Sequence, residues 1–325
     1  MDYLKKSLAI QQQIGDKSGE GTTLNNLATT AHAKGDYDTA LDYLKKSLAI
    51  QQQIGDKSGE GTTLNNLATT AHAKGDYDTA LDYLKKSLAI RQQIGDKSGE
   101  GTTLNNISQI FKARGDYDTA LDYLKKSLAI QQQIGDKSGE GTTLNNISQI
   151  FKARGDYDTA LDYLKKSLAI RQQIGDKSGE GTTLNNLATT AHAKGDYDTA
   201  LDYLKKSLAI QQQIGDKSGE GTTLNNISQI FKARGDYDTA LDYLKKSLAI
   251  QQQIGDMNGI AVSQTNIGAL YFDIRKFDHA VLPLLEAYQI FRQIGSPNAQ
   301  TVEQWLNALV GKIGEQRFRE IMEAG

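Results

Sequence analysis

The feature that most constrains this sequence is a repeat with a period of 40 residues. The segment LDYLKKSLAI begins at residues 41, 81, 121, 161, 201 and 241, and the chain opens inside a further copy. Without the repeat, a length of 325 residues would indicate about two globular domains. Short units of this kind cannot each enclose a core, so they must stack on one another. The period therefore predicts a solenoid rather than two compact domains.

Each unit carries one of two eight-residue cassettes. The L cassette, LATTAHAK, occupies residues 27–34, 67–74 and 187–194, and the I cassette, ISQIFKAR, occupies 107–114, 147–154 and 227–234. The order along the chain is L, L, I, I, L, I. The near-identical units therefore differ mainly in which of the two eight-residue cassettes they carry.

The two ends of the chain depart from the repeat. Residues 257–296 keep the period with new residues, and 297–325 are unlike the rest. We predict a leading helix at 1–16 that lacks its partner, seven 40-residue units at 17–296 and capping helices at 297–325. The partnerless first helix leads us to expect a fragment of a longer array.

Each unit is predicted to form two helices. Within residues 57–74 an apolar stripe recurs at helical spacing, formed by Leu64, Leu67, Ala68 and Ala71. Residues 77–94 carry a second stripe, formed by Ala80, Leu81, Leu84, Leu88 and Ile94. Gly95 suits a left-handed helix end and Asp96 suits the next N-cap. With 2 prolines in the whole chain, the pattern predicts an all-α fold of antiparallel helix pairs.

The residues around Gly75 resemble the tetratricopeptide repeat. Gly75-Asp76-Tyr77 follows the first stripe, and the small residues Ala80 and Ser87 come after it. The longer unit is similar to repeats of kinesin light chains, Pins-type polarity adaptors and MalT-like bacterial regulators. The resemblance implies a right-handed α-solenoid, a superhelix whose first helices line a concave groove. It also implies protein or peptide partners.

Paired asparagines on the first helix are the main candidate binding residues. A helical wheel places both on the side opposite the apolar stripe. Since an asparagine amide donates and accepts, it can hold a peptide backbone. The resemblance implies this role for the second asparagine of each pair: Asn26, Asn66, Asn106, Asn146, Asn186, Asn226 and Asn266. The first asparagines are weaker candidates, among them Asn65, Asn105 and Asn145. The alternative is a ladder of hydrogen bonds that supports stacking alone.

The cassettes change side chains on this same predicted face. The L cassette supplies histidines, and we include His72 and His192 in the candidate groove. The I cassette supplies glutamine and lysine, and the groove candidates are Gln109, Lys112, Gln149, Lys152, Gln229 and Lys232. The net charge of −2 gives no electrostatic case for nucleic acid or an anionic membrane as a partner.

Motifs for catalysis or cofactor binding are not evident in the sequence. The absence of cysteine excludes disulfides and thiolate zinc sites. The segment GDKSGEG lacks the spacing of a phosphate-binding loop. The histidines have no second ligand at metal-binding spacing. We therefore expect no enzyme activity, no metal and no cofactor, and the lack of a signal peptide indicates a cytoplasmic protein.

The sequence favours a non-enzymatic scaffold for protein–protein interaction, which holds a peptide or a partner surface in the groove. One alternative is the C-terminal sensor arm of a larger bacterial signalling ATPase. Another is an engineered or recently duplicated structural array. Identical interfaces also lead us to expect self-association, through the N-terminal helix or by end-to-end stacking.

Overall fold

The computed structural model describes residues 1–324 and contains helices and no strand within them. The described part forms 17 helices: α1 (Asp2–Ile14), α2 (Lys17–Ala33), α3 (Tyr37–Ile54), α4 (Lys57–Ala73), α5 (Tyr77–Gln93), α6 (Lys97–Ala113), α7 (Tyr117–Ile134), α8 (Lys137–Ala153), α9 (Tyr157–Gln173), α10 (Lys177–Lys194), α11 (Tyr197–Ile214), α12 (Lys217–Ala233), α13 (Tyr237–Ile254), α14 (Met257–Asp273), α15 (Phe277–Gln293), α16 (Asn298–Ile313) and α17 (Glu315–Ala324). The all-α prediction is confirmed. No helix in residues 1–324 has the length and apolarity needed to cross a bilayer.

The chain divides into two compact units, Met1–Ile170 and a second that begins at Arg171, so the division falls within α9. In both units the helices follow one another in pairs. We call the even-numbered helices from α2 to α14 the A helices, and the odd-numbered helices from α3 to α15 the B helices. The assignment of seven repeat units and a cap stays a prediction.

Glycine and aspartate separate the helices as the sequence predicts. Gly95 ends α5 with a φ of +70°, and the N–H of Asp96 donates to the carbonyl of Arg91 at 2.9 Å. The carboxylate of Asp96 then accepts from the N–H of Gly99 at 2.9 Å, which caps α6. Since this geometry recurs along the chain, short links within each unit return a helix against the one before it.

The apolar core runs from each helix pair into the next within a unit. Ala68 and Leu84 are 1% exposed, and they pack with Ile107 of the following A helix, which is 0% exposed. The predicted stripe is thus the core. Ile94 is the exception, because it lies beside the turn after α5 and is 41% exposed.

The C-terminal helices enclose a larger cluster with α14 and α15. Leu306 and Leu309 of α16 are buried against Phe291. The half-buried members include the predicted residues Trp305, Ile313, Phe318 and Ile321. The prediction for Met322 is wrong, since this residue is 44% exposed and α17 contains no fully buried residue. Gly314 separates α16 from α17, as expected.

Candidate functional site: a polar row on the A helices

The second asparagines and the cassette residues predicted to bind lie on one side of the A helices, where most are half-buried. We call these side chains the polar row. In the first unit the row contains Asn26 of α2, Asn66, Thr69 and His72 of α4, Asn106, Gln109 and Lys112 of α6, and Asn146, Gln149 and Lys152 of α8. In the second unit it contains Asn186 and His192 of α10, Asn226, Gln229 and Lys232 of α12, and Asn266 of α14.

The first asparagine of each pair does not belong to this row. Asn65 is 9% exposed and Asn105 is 8% exposed, so the wheel-based placement of both on the open face is wrong. Asn145 is half-buried. The reason is that α4 contacts α5 of its own pair and the A helices on both sides, α2 and α6. Its open face is therefore narrower than half a helical wheel.

Asn65 instead joins three helices. Its Nδ2 donates to the hydroxyl of Ser87 in the same pair at 3.0 Å and to that of Thr103 in the next pair at 2.9 Å. In the second unit, Asn185 makes the equivalent bonds to Ser207 and Thr223. Buried polar groups of this kind need partners, and here the partners come from adjacent repeats.

The second asparagine of each pair extends this ladder. Nδ2 of Asn106 donates to Oδ1 of Asn65 at 3.2 Å, and Nδ2 of Asn146 donates to Oδ1 of Asn105 at 3.0 Å. Oδ1 of Asn106 and of Asn146 accepts no hydrogen bond from the described residues. One amide therefore has two ends with different surroundings. The donor end bonds to the preceding repeat, and the acceptor end has no hydrogen-bond partner among the described residues.

Sequence reasoning missed a set of buried hydroxyl and amide contacts beneath the ladder. The hydroxyl of Ser87 donates to the carbonyl of Gly61 at 2.8 Å. The hydroxyl of Thr63 donates to Oε1 of Gln51 at 2.6 Å, and Thr143 does the same to Gln131. The sequence feature that indicates these buried contacts is a polar residue that recurs at the same position of each repeat. Its partner lies in another helix, which the repeat alone does not identify.

Arginine replaces this glutamine at two junctions and changes the contacts. Arg91 is 8% exposed, and its guanidinium donates to Thr62 at 2.7 Å and to the carboxylate of Asp96, while its Nε has no partner. Thr103 turns instead to the carbonyl of Gly99 at 2.8 Å. Burial alone would raise the pKa of Asp96. The hydrogen bonds from Gly99 and Arg91 outweigh burial and lower that pKa.

The cassettes also select different aromatic pairs. In the L cassette, the ring of His72 lies 5.4 Å from that of Tyr77, and burial lowers the pKa of His72. In the I cassette, Phe111 stacks on Tyr123 with ring centroids 5.5 Å apart. Phe111 is half-buried rather than fully enclosed. Each cassette therefore fixes the B helix that follows it through its own ring contact.

The three lysines of the I cassettes have different surroundings. Nζ of Lys112 donates to Oε1 of Gln149, which is uncharged. Nζ of Lys232 lies 2.7 Å from the carboxylate of Asp273. Burial lowers the pKa of Lys112, and burial together with the charge of Lys112 lowers the pKa of Lys152.

Two shallow hollows open beside the polar row in the first unit. The larger, of about 190 Å³, is lined by Ala68, Thr69, His72, Leu84, Asn106, Gln109 and Ile110. The smaller, of about 120 Å³, is lined by Ala28, Thr29, His32, Leu44, Asn66, Thr69 and Thr70. Each has an apolar floor and a polar rim. In residues 1–324 no three His, Asp or Glu side chains lie close enough together to hold a metal ion.

The repeats match a known family along nearly the whole chain. A model described as tetratricopeptide repeat matches residues 2–53, 59–133, 99–173, 139–213, 179–253 and 219–293. No curated protein sequence is significantly similar to the chain.

Several solved structures share the fold at low sequence identity. BtubC (BKLC) from P. vanneervenii is 20% identical with a TM-score of 0.55, and the match covers 71% of this chain and 92% of that one. A signal transduction ATPase with numerous domains and a tetratricopeptide repeat sensor, from Pyrococcus horikoshii, is 19% identical with a TM-score of 0.62, covering 97% and 46%. The Rap conjugation gene regulator of the plasmid pLS20, solved with the Phr* peptide, is 13% identical with a TM-score of 0.65, covering 88% and 77%.

Proposed function

Because the chain belongs to the tetratricopeptide repeat family, we propose that it is a non-catalytic scaffold that binds an extended peptide or partner segment along the polar row. The observation that carries this proposal is the open acceptor end of the second asparagine. Oδ1 of Asn106 is held in place, because Nδ2 of the same amide is bonded to Asn65. A fixed acceptor loses little side-chain entropy when it binds a peptide N–H.

The spacing of the repeats suits an extended chain. Contacting helices lie about 8–10 Å apart, and an extended peptide covers about 3.3–3.6 Å per residue. A peptide crossing the A helices would therefore advance about three residues per repeat. Asn106 and Asn146 would accept from its backbone, while the hollow beside Gln109 would receive a side chain. The cassette residues would then select which side chains fit.

A structural neighbour supports a peptide ligand. The pLS20 regulator was solved in complex with the Phr* peptide. At 13% identity this likeness concerns the fold, so the binding residues proposed here rest on the polar row of this chain.

The test uses fluorescence anisotropy of the purified chain with a labelled peptide library. The variant carries Asn66→Ala, Asn106→Ala and Asn146→Ala. The control carries Gln53→Ala, Gln93→Ala and Gln133→Ala, which also remove three amides but from exposed B-helix positions. We expect the asparagine variant to bind at least about tenfold more weakly and the control to bind as the parent does.

Circular dichroism separates loss of binding from loss of the fold, because each asparagine also makes a stacking bond. If the asparagine variant remains helical and binds the selected peptides with unchanged Kd, the proposal is wrong. Equal weakening in both variants would also contradict it, since the effect would not belong to the polar row.

A second candidate function is the sensor arm of a larger signalling ATPase. The match to the Pyrococcus horikoshii protein covers 97% of this chain and 46% of that one, and its description names a tetratricopeptide repeat sensor. In that arrangement catalysis would belong to a nucleotide-binding domain on the same polypeptide. Sequencing the gene upstream of the first codon tests this candidate. An upstream reading frame without such a domain would rule it out.

A further inference from the structure

Helix α1 has the sequence of a B helix but lacks one of the contacts that a B helix makes. The segment DYLKKSLAIQQQI forms α1 at Asp2–Ile14 and recurs within α3 at residues 42–54. Helix α3 contacts α2 of its own pair and α4 of the next pair. Among the helices of residues 1–324, α1 contacts α2 alone. No described helix therefore occupies the position beside α1 that α2 occupies beside α3.

The apolar side chains of α1 are correspondingly less buried than their equivalents in α3. Leu44 is 2% exposed, because it packs on the small residues of α2. Leu4 is at the equivalent position and is half-buried. Ile10 is 57% exposed, whereas Ile50 is half-buried. An A helix placed against α1 would bury the same apolar surface that α2 buries on α3.

A single asparagine of the A helix connects four polar side chains where the contacts are complete. Nδ2 of Asn25 donates to the hydroxyl of Ser47 at 2.7 Å and to that of Thr63 at 2.8 Å. The hydroxyl of Thr63 donates in turn to Oε1 of Gln51 at 2.6 Å. Oδ1 of Asn25 accepts from Nδ2 of Asn66 at 3.0 Å. Both ends of this amide are therefore used.

The equivalent four side chains around α1 have no such partner. They are Ser7 and Gln11 of α1 and Thr23 and Asn26 of α2. Oε1 of Gln11 is buried without a hydrogen bond. Thr23 is 5% exposed, and its hydroxyl makes no hydrogen bond within residues 1–324. Because buried polar groups are rarely left unpaired, this set indicates a ligand that supplies an amide at the same place.

A glycine lets the A helix come close to the B helix beside that amide. A Cβ atom on Gly21 would lie 3.6 Å from Cγ2 of Ile50 and 3.7 Å from Oγ of Ser47, which leaves little room for a longer side chain. The carbonyl of Gly21 accepts from the hydroxyl of Ser47 at 2.7 Å. Asn25 follows Gly21 by four residues and so lies on the same face of α2.

We propose that α1 binds, from another molecule, an amphipathic helix of the A-helix type. Such a helix has a glycine, an asparagine four residues later and the apolar stripe of a cassette after it. The contact between α2 and α3 identifies this occupant, because α3 repeats the sequence of α1. The face of α1 that would receive the helix, which we call the α1 face, is formed by Leu4, Ser7, Ile10 and Gln11.

The incoming helix would satisfy each unpaired group on the pattern of the complete contacts. Its glycine carbonyl would accept from Ser7, and its asparagine Nδ2 would donate to Ser7 and Thr23. Thr23 would then donate to Gln11, and the asparagine Oδ1 would accept from Asn26. This inference goes beyond the proposed function, since α1 carries no member of the polar row.

The test uses a fluorescein-labelled peptide with the sequence of residues 15–37, GDKSGEGTTLNNLATTAHAKGDY. Anisotropy should show saturable binding of one peptide per chain. Circular dichroism should show a gain of helix on binding, because a free peptide of this length is weakly helical. The peptide with Asn25→Ala should bind at least about tenfold more weakly.

The peptide with Asn26→Ala is the matched control. It has the same change one residue later, where the incoming helix has no preceding repeat to contact, so it should bind as the parent peptide does. On the protein, Ile10→Glu should abolish binding. Gln13→Glu adds the same charge to an exposed position of α1, and its equivalent Gln53 remains exposed beside α2, so binding should be unchanged.

Four outcomes would overturn this inference. Equal binding of the two asparagine peptides would mean that apolar attraction alone is responsible. Binding that is lost in the polar-row variant Asn66→Ala, Asn106→Ala and Asn146→Ala but retained in Ile10→Glu would place the peptide on the polar row and leave the proposed function intact. A dimer that does not bind the peptide would make a second copy the occupant. A monomer that does not bind it would show that the α1 face takes no A helix.

Discussion

The side-chain amide of Asn106 donates to Oδ1 of Asn65 at 3.2 Å, and the two residues belong to consecutive repeats. Asn65 donates in turn to Thr103, which lies in the same helix as Asn106. The two A helices are therefore joined by hydrogen bonds in both directions. Apolar side chains can slide past one another, whereas these bonds require one alignment of the helices. The ladder thus specifies the register that the apolar core leaves weakly defined.

The ladder predicts a large effect for Asn65→Ala. The substitution removes bonds to two hydroxyls and one amide, all at least partly buried, and should lower the free energy of unfolding by about 2–3 kcal/mol. Asn26→Ala is the control, because that side chain is exposed and makes no side-chain hydrogen bond to the described residues. Urea denaturation followed by circular dichroism measures both. Similar midpoints for the two variants would show that the ladder contributes little.

Arg91→Gln should be neutral or stabilising, by up to about 1 kcal/mol. The substitution removes a buried guanidinium whose Nε has no partner and restores the residue found at Gln51 and Gln131. We expect Thr103 to turn from Gly99 to the new amide. Arg91→Met is the comparison, since it supplies no acceptor and should destabilise the chain. A loss of more than about 1 kcal/mol in Arg91→Gln would mean that the pair with Asp96 outweighs the cost of burial.

Acid should destabilise the array through its buried glutamates. Burial alone would raise the pKa of Glu100, but hydrogen bonds from Lys97 and Gln92 outweigh it and lower the pKa below the ordinary value of 4.5. A carboxylate with a lowered folded-state pKa stabilises the protein above about pH 4.5, and this stabilisation is lost as the pH falls through the folded-state value. Equivalent shifts occur at Glu140, Glu180 and Glu220.

Urea midpoints measured between pH 7 and pH 3 test this prediction. The midpoint should fall below about pH 4.5, and Glu100→Gln should reduce the steepness of that fall. Parallel curves for the variant and the parent would show that Glu100 does not contribute to the acid response.

Each cassette is expected to work as a unit. Phe111→Ala alone removes the stack on Tyr123 and should cost about 2–3 kcal/mol, less than for a fully buried ring. Replacing residues 107–114 by the whole L cassette should cost less than about 1 kcal/mol, because its histidine can pair with Tyr117 as His72 pairs with Tyr77. Thermal unfolding compares the two proteins. A whole-cassette protein as unstable as Phe111→Ala would contradict this compensation.

The first helix is expected to cause self-association at high concentration. Tyr3, Ile10 and Ile14 are 87%, 57% and 69% exposed and lie on one side of α1. Ile14→Glu with Ile10→Glu should shift the mass measured by light scattering towards the monomer. Ile54→Glu is the control at the equivalent position of the next repeat, where the side chain is 40% exposed. A parent chain that is strictly monomeric at high concentration would contradict the prediction.

The capping preferences and helical periodicity of the sequence were sufficient to predict the helices and their ends. Gly95 and Asp96 act through neighbours within a few residues, so a single copy of the repeat identifies their roles. The apolar stripe that contains Ala68 was correctly placed for the same reason, because its periodicity belongs to one helix.

Contacts between repeats could not be predicted from the pattern of a single helix or a single repeat. The helical wheel treats Asn65 and Asn66 as neighbours on one open face, although Asn65 is 9% exposed and faces Thr103 of the following repeat. The burial of Arg91 could not be predicted from the sequence either, since an arginine within a run of polar residues is expected to lie at the surface. Both cases depend on side chains that lie one repeat away and on how closely the helices approach.

The bonds of the ladder join residues separated by fixed distances in sequence, 38 from Asn65 to Thr103 and 41 from Asn106 back to Asn65. A deletion or duplication of one whole period rejoins positions that can make the same bonds. Unequal crossing-over between similar copies of the DNA would therefore change the length of the array while leaving each interface intact. The number of repeats could then change between generations without selection against misassembly. A deletion or insertion of only a few residues would instead break every ladder bond at the affected junction.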